Sequence, residues 1–142
     1  MIEDLIITKT KKFILDKGNV YHGLRKTDKG FSQFEEVYFS FIKKNSIKAW
    51  RIHKEMTLNI IVPVGSIQFN FIDLRKNSKT FKERFELLLS EEHYSRVTVP
   101  PKICFGFKGI GDGINMLANI TNTPHDENES ETKDLKEFNF IG

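Results

Sequence analysis

An all-β fold, with two sheets packed face to face around one core, is what the sequence predicts, and three observations predict it. Short runs rich in β-branched and aromatic residues follow one another at near-regular spacing, separated by turns rich in Gly, Pro, Asn or Lys. No long helical periodicity interrupts them. Thirteen Phe against one Trp mark a core built on aromatics, and the run SIQFNFIDLR places Ile67, Phe69 and Phe71 on one face with apolar residues between them. A strand with that pattern is covered on both faces for part of its length, which a sandwich supplies.

Taken in order, LIITKT, KFIL and VYHGLRK open the chain as short strands, broken by the Gly and Asn of DKGN. FEEVYFSFIK and IKAWRIHK alternate polar with apolar residues, the signature of a half-buried strand. TLNIIVPVG and SIQFNFIDLR are more continuously apolar, and KNSK ends the second as a turn. KERFELLLS, RVTVPP and ICFGFKGI follow; the double proline fits the margin of a strand, where missing N–H groups are tolerated. GIGDG reads as a hairpin turn before GINMLANIT. No helix follows that glycine-rich turn, so it is no phosphate loop.

At 142 residues the chain is long enough for a single core without disulfides or a structural metal. Cys104 is the only cysteine, and the N-terminal MIEDLIITKTKK lacks the apolar stretch of a signal peptide, so a cytoplasmic location is expected. No apolar run approaches the roughly 18 residues of a membrane span. Net charge is +3, but residues 124–142 carry two Lys against six Asp or Glu, which leaves about +7 on residues 1–123. The division expected is therefore a folded domain over 1–123 and an acidic C-terminal loop or mobile tail over 124–142, whose last apolar residues, Leu135, Phe138, Phe140 and Ile141, dock on the body or on a partner. A mildly basic body suits a phosphate-bearing ligand. Nucleic acid is not expected, because the aromatics alternate inside strands and no basic helix or RNA-binding signature appears.

Alternation along IKAWRIHK sets Ala49, Arg51 and His53 on one face and Trp50, Ile52 and Lys54 on the other. If Trp50 and Ile52 fill the space between layers, Arg51 and His53 face solvent; if the strand lines a barrel mouth, they face a cavity. The stretch resembles the metal-binding strand pair of cupins, yet Arg51 stands at the first histidine position and Thr57 or Leu58 at the glutamate position. A guanidinium does not ligate a divalent ion, so no metal is expected. What remains is an imidazole, His53, beside a fixed positive charge that favours its neutral, proton-accepting form. Of the other histidines, His22 lies in a strand-like run and is a candidate for the same cavity, whereas His93 and His125 fall in turns. Cys104 has no activating base nearby and reads as a small buried hydrophobe.

FIDLRKNSKTF, LSEEHYSRVTVPPKICFGF and SIKAWRIH, in this order and spacing, resemble the dTDP-4-dehydrorhamnose 3,5-epimerase family over roughly residues 13–123. The resemblance implies a cupin-like jelly roll, a homodimer, no metal or cofactor, and a nucleotide-linked 4-keto-6-deoxy sugar as ligand. It implies proton removal next to the ketone by a histidine, with a tyrosine as acid and a lysine near the enolate. Matched residue by residue, that histidine falls on Arg51, the residue two further on is His53, the tyrosine falls near Ala118, a histidine before Gly-Phe becomes Phe105, and the lysine has no clear counterpart. The expectation is that His53 takes over as base, with Asp73, His22 and Glu36 as groups to test beside it. Arg51, Lys48, Arg75, Glu36, Phe105 and Asn119 are then the expected substrate contacts. The alternative expectation is a nucleotide-sugar-binding protein that does not turn its ligand over and serves another enzyme.

Overall fold

Each of the predicted runs forms a strand in the computed structural model, which describes residues 1–142. They are β1 (Ile6–Thr8), β2 (Lys12–Phe13), β3 (Val20–Tyr21), β4 (Glu36–Phe41), β5 (Ile47–His53), β6 (Leu58–Val64), β7 (Ser66–Asp73), β8 (Arg84–Ser90), β9 (Arg96–Val99), β10 (Ile103–Gly109) and β11 (Met116–Thr121). A twelfth strand, β12 (Ser130–Thr132), arises in the segment expected to be a loop. One five-stranded sheet has the order β1-β9-β6-β11-β4 and the other β12-β5-β10-β7-β8, with β2 and β3 a separate hairpin. All pairings between these strands are antiparallel. From β4 onward the chain mostly changes sheet from one strand to the next, which is the winding of a cupin-like jelly roll.

That winding corrects one expectation. GIGDG does turn the chain, but it carries it from β10 in one sheet to β11 in the other, so it is not a hairpin. The pairing partners of these strands are β5 and β7 for β10, and β4 and β6 for β11. VYHGLRK is a strand only at Val20–Tyr21; the rest is loop, held by the buried Arg96, whose guanidinium donates to the Gly23 and Lys29 carbonyls and to Asp28.

Between the sheets lies the main core, in which Phe69, Phe71, Ile67, Val62 and Val97 are fully buried. β7 is covered on both faces as its sequence requires, but the second cover is the C-terminal segment instead of a sheet. Trp50, Ile52, Ile72 and Cys104 form a cluster on the outer side of the second sheet, and Phe138 and Phe140 pack on it. Both of their rings lie 5.9 Å from Trp50, which is only 1% exposed. Phe138 and Phe140 are partly buried there, and at about 25 cal/mol per Å² of apolar surface covered their packing on Trp50 helps hold a segment whose own strand is three residues long. Burial pushes the Cys104 thiol up to about 12, which keeps it protonated.

The same packing settles which way β5 faces. Trp50 and Ile52 turn outward under the C-terminal segment, and period-2 alternation then sends Arg51 and His53 inward.

Candidate active site

At one end of the sandwich the sheets stand apart and leave a cavity of about 400 Å³, within the ordinary size range for a small-ligand pocket. One wall is the second sheet: Lys48, Arg51 and His53 from β5, Phe105 and Phe107 from β10, and Thr132 from β12. The facing wall is the first sheet: Tyr38 and Ser40 from β4, with Leu117 and Asn119 from β11. The expected residues that meet here are therefore His53, Arg51, Lys48, Phe105 and Asn119.

His53 Nδ1 lies 2.5 Å from Glu129 Oε1. The other carboxylate oxygen of Glu129 accepts from the backbone N–H groups of Glu55 and Met56, each at 2.9 Å. Burial pushes the Glu129 carboxyl upward, but those two N–H groups and the His53 ring outweigh it and hold it below the usual range. An ionised Glu129 can only accept, so Nδ1 carries a hydrogen and Nε2 of the neutral ring is the free lone pair. Nε2 has no partner in the protein and is not sealed off. Phe105 stacks on the imidazole at 6.1 Å and fixes its plane. The result is an oriented imidazole whose proton-accepting atom is left to a ligand.

Arg51, on the same face, forms no ion pair with any carboxylate, so its charge is available in the cavity. Lys48 Nζ donates to the Phe41 carbonyl at 3.0 Å and lies 6.0 Å from the Phe107 ring. Across the cavity, Asn119 Nδ2 donates to the Tyr38 hydroxyl at 3.0 Å. Burial raises the Tyr38 phenol above its ordinary value, against the opposing pull of Asn119 and the Arg51 charge.

Asp73, Arg75 and His22 are not in this cavity. Asp73 is 0% exposed and accepts from Arg75 Nε and Nη2, both at 2.9 Å, and from the Ser78 and Thr80 hydroxyls, both at 2.6 Å. Arg75 goes on to Asp4 and the Glu3 carbonyl. The Asp-x-Arg-x-x-Ser-x-Thr run is thus a structural knot that ties the turn after β7 to the N-terminus, and it leaves neither residue free for proton transfer or phosphate binding. His22 lines a separate polar groove with Lys9, Lys11 and Arg25, and its ring packs on Phe13 at 5.5 Å. Glu36 sits at the end of β4 outside the cavity lining, accepting from the His125 backbone N–H.

Two participants were missed in the sequence. Tyr38 was legible, since alternation in EVYFSF opposes Tyr38 and Ser40 to Val37, Phe39 and Phe41. Glu129 was not, because it lies 76 positions from His53 in a polar stretch with no strand pattern. Ala118, near which the resemblance placed a tyrosine, packs outward with Ile61 and Tyr94.

The fold is that of the cupin-like jelly rolls, and its inter-sheet cavity holds an imidazole, a guanidinium without a carboxylate partner and a phenol. The particular family follows from comparison: the dTDP-4-dehydrorhamnose 3,5-epimerase family matches residues 1–137, and the chain belongs to it. The crystal structure of a dTDP sugar isomerase from Desulfovibrio desulfuricans superimposes with a TM-score of 0.90 at 34% identity, covering 94% of this chain and 85% of that one. Among characterised sequences, a probable low-salt glycan biosynthesis epimerase, Agl13 of Haloferax volcanii, is 28% identical over 93 residues, covering 65% of this chain and 60% of its own length. The spore coat polysaccharide biosynthesis protein SpsL of Bacillus subtilis is 22% identical over 133 residues, covering 94% of this chain and 88% of its own. No helix is long and apolar enough to cross a membrane.

Proposed function

We propose that this protein is a nucleotide-sugar epimerase or ketoisomerase that removes a proton next to the ketone of a 4-keto-6-deoxy sugar nucleotide, in the biosynthesis of a surface polysaccharide. The observation that carries the reading is His53: Nδ1 held by Glu129, Nε2 open to a cavity that also holds Arg51. In this reading His53 Nε2 takes the proton, and the charge that develops on the ketone oxygen is stabilised by a cationic donor, Arg51. Lys48, Phe105 and Asn119 contact the rest of the ligand. Membership in the epimerase family supports the substrate class, and the free cations suit a diphosphate.

Arg51 at the position where the family resemblance places the base favours a second reading, a nucleotide-sugar-binding protein without turnover. Proton NMR of dTDP-4-keto-6-deoxyglucose incubated with the protein separates the two. A new epimer or keto isomer supports the enzyme; an unchanged spectrum with calorimetric binding of the same compound supports the binding protein.

The protein is further proposed to act in the cytoplasm as a homodimer. Supporting the dimer, β4 is an edge strand whose outer face leaves Phe39 59% and Phe41 57% exposed, with Val37 beside them. A contiguous apolar strip on a sheet edge is the kind of surface that a second copy covers. Sedimentation is expected to give twice the 16.6 kDa of the chain, and Phe39→Lys with Phe41→Lys to give the monomer at the same concentration. A wild-type monomer contradicts this.

A further inference from the structure

We propose that Phe138 and Phe140, on the outer side of the second sheet, are positioning residues for His53 on its inner side, acting through Glu129. This rests on the epimerase reading above and adds to it residues that touch neither the cavity nor the imidazole. The C-terminal segment is then a strap that the site needs in place.

The two ends of that segment meet the two faces of β5. Glu129 enters at the cavity end, where its side chain holds His53 Nδ1 and accepts from the Glu55 and Met56 N–H groups. β12 then runs along β5, with Ser130 opposite His53 and Thr132 opposite Arg51. Beyond it, Lys133 and Trp50 exchange backbone hydrogen bonds of 3.0 and 3.2 Å. On the outer face the Trp50 indole N–H donates to the Leu135 and Phe138 carbonyls, and the Phe138 and Phe140 rings pack on Trp50. Asn70 closes the end: its amide donates to the Ile141 carbonyl and accepts from the Ile141 N–H, both at 2.8 Å. None of residues 134–142 lines the cavity.

What holds the strap decides where Glu129 stands. From His125 to Asp134 the run HDENESETKD offers no apolar side chain. Ordering such residues costs on the order of 1–2 kcal/mol each in backbone entropy, whereas a hydrogen bond returns only about 0.5–1.5 kcal/mol net. β12 is three residues long and paired on one side only. Apolar burial is therefore left to the far end, where the two phenylalanines meet the cluster of Trp50, Ile52, Ile72 and Cys104.

Loss of that anchor frees Glu129 and with it the His53 ring. A neutral imidazole whose Nδ1 has lost its acceptor no longer prefers one tautomer, so the lone pair facing the cavity is not kept on Nε2. A base displaced in this way lowers the rate, while Arg51 and Lys48 keep their places for the ligand.

Phe138→Ala combined with Phe140→Ala tests this by nitrogen-15 NMR of the imidazole, at a pH where the ring is neutral. Wild type is expected to show one tautomer, with the hydrogen on Nδ1, and the double variant a mixture. With dTDP-4-keto-6-deoxyglucose, kcat is expected to fall about tenfold or more while dTDP affinity stays within about threefold. In a Glu129→Gln background the two alanines are expected to lower kcat no further, because the carboxylate through which they act is gone. An unmoved tautomer in the double variant overturns the proposal, and so does a full additional loss in the Glu129→Gln background, the mark of general loosening. Wild type without turnover removes the epimerase reading, and the tautomer comparison then still decides this one. Should the double variant fold poorly, Phe140→Ala alone carries the same comparison, and a ring unchanged from wild type overturns the proposal.

Discussion

Replacing His53 with Asn is expected to lower turnover by about two orders of magnitude or more, while dTDP affinity stays within a few-fold. Asparagine keeps a polar group at a buried position but has no lone pair basic enough to take a carbon-bound proton. The surroundings survive the change, because Glu129 still accepts from the Glu55 and Met56 N–H groups, and Phe105 remains packed against β7 through Phe71. Arg51 and Lys48, the cations of the cavity, are untouched. A loss confined to kcat, measured beside calorimetric dTDP binding, is thus the signature of a base; unchanged turnover removes His53 from the mechanism.

Replacing Asp73 is expected to strike stability instead of chemistry. Asp73→Ala leaves the partly buried Arg75, Ser78 and Thr80 without the carboxylate they share, and each hydrogen bond to that charged group is worth about 1.5–3 kcal/mol. For a domain of this size that corresponds to a fall in Tm of roughly 10 °C or more. The acid behaviour follows from the same contacts. Burial opposes the charge on Asp73, but the hydrogen bonds from Arg75, Ser78 and Thr80 outweigh it and hold the carboxyl far below its ordinary range. A folded-state pKa depressed in this way contributes stability that is fully present above the unfolded value of about 3.9 and is lost as pH falls below it. Melting curves between pH 7 and pH 2 are expected to show a steep decline below about pH 4 in wild type and a shallower one in Asp73→Asn. Parallel declines contradict the assignment.

These two residues show how much the sequence discloses. Strands were legible because alternation and β-branched runs are local signals, and the facing of β5 reduced to one question: which side Trp50 buries. The answer depended on Phe138 and Phe140, far along the chain in a segment expected to dock but with no indication of where, so it could not be had locally. Asp73 was misjudged for a related reason. A conspicuous Asp and Arg two residues apart suit catalysis and structure equally well, and only the turn that folds Ser78 and Thr80 back onto Asp73 decides between them. Glu129 had no local signature at all, because its role exists only through the pairing of β12 with β5, Ser130 opposite His53.

Whether the cavity between the sheets performs proton transfer next to a ketone is decided by solvent exchange. The protein, the His53→Asn variant and a protein-free control are incubated in heavy water with dTDP-linked 4-keto-6-deoxyglucose, and deuterium is followed by mass spectrometry and proton NMR. Deuterium is expected at a carbon beside the ketone with wild type, and exchange at the control rate with His53→Asn. Binding of the sugar nucleotide without exchange above the control would contradict that transfer.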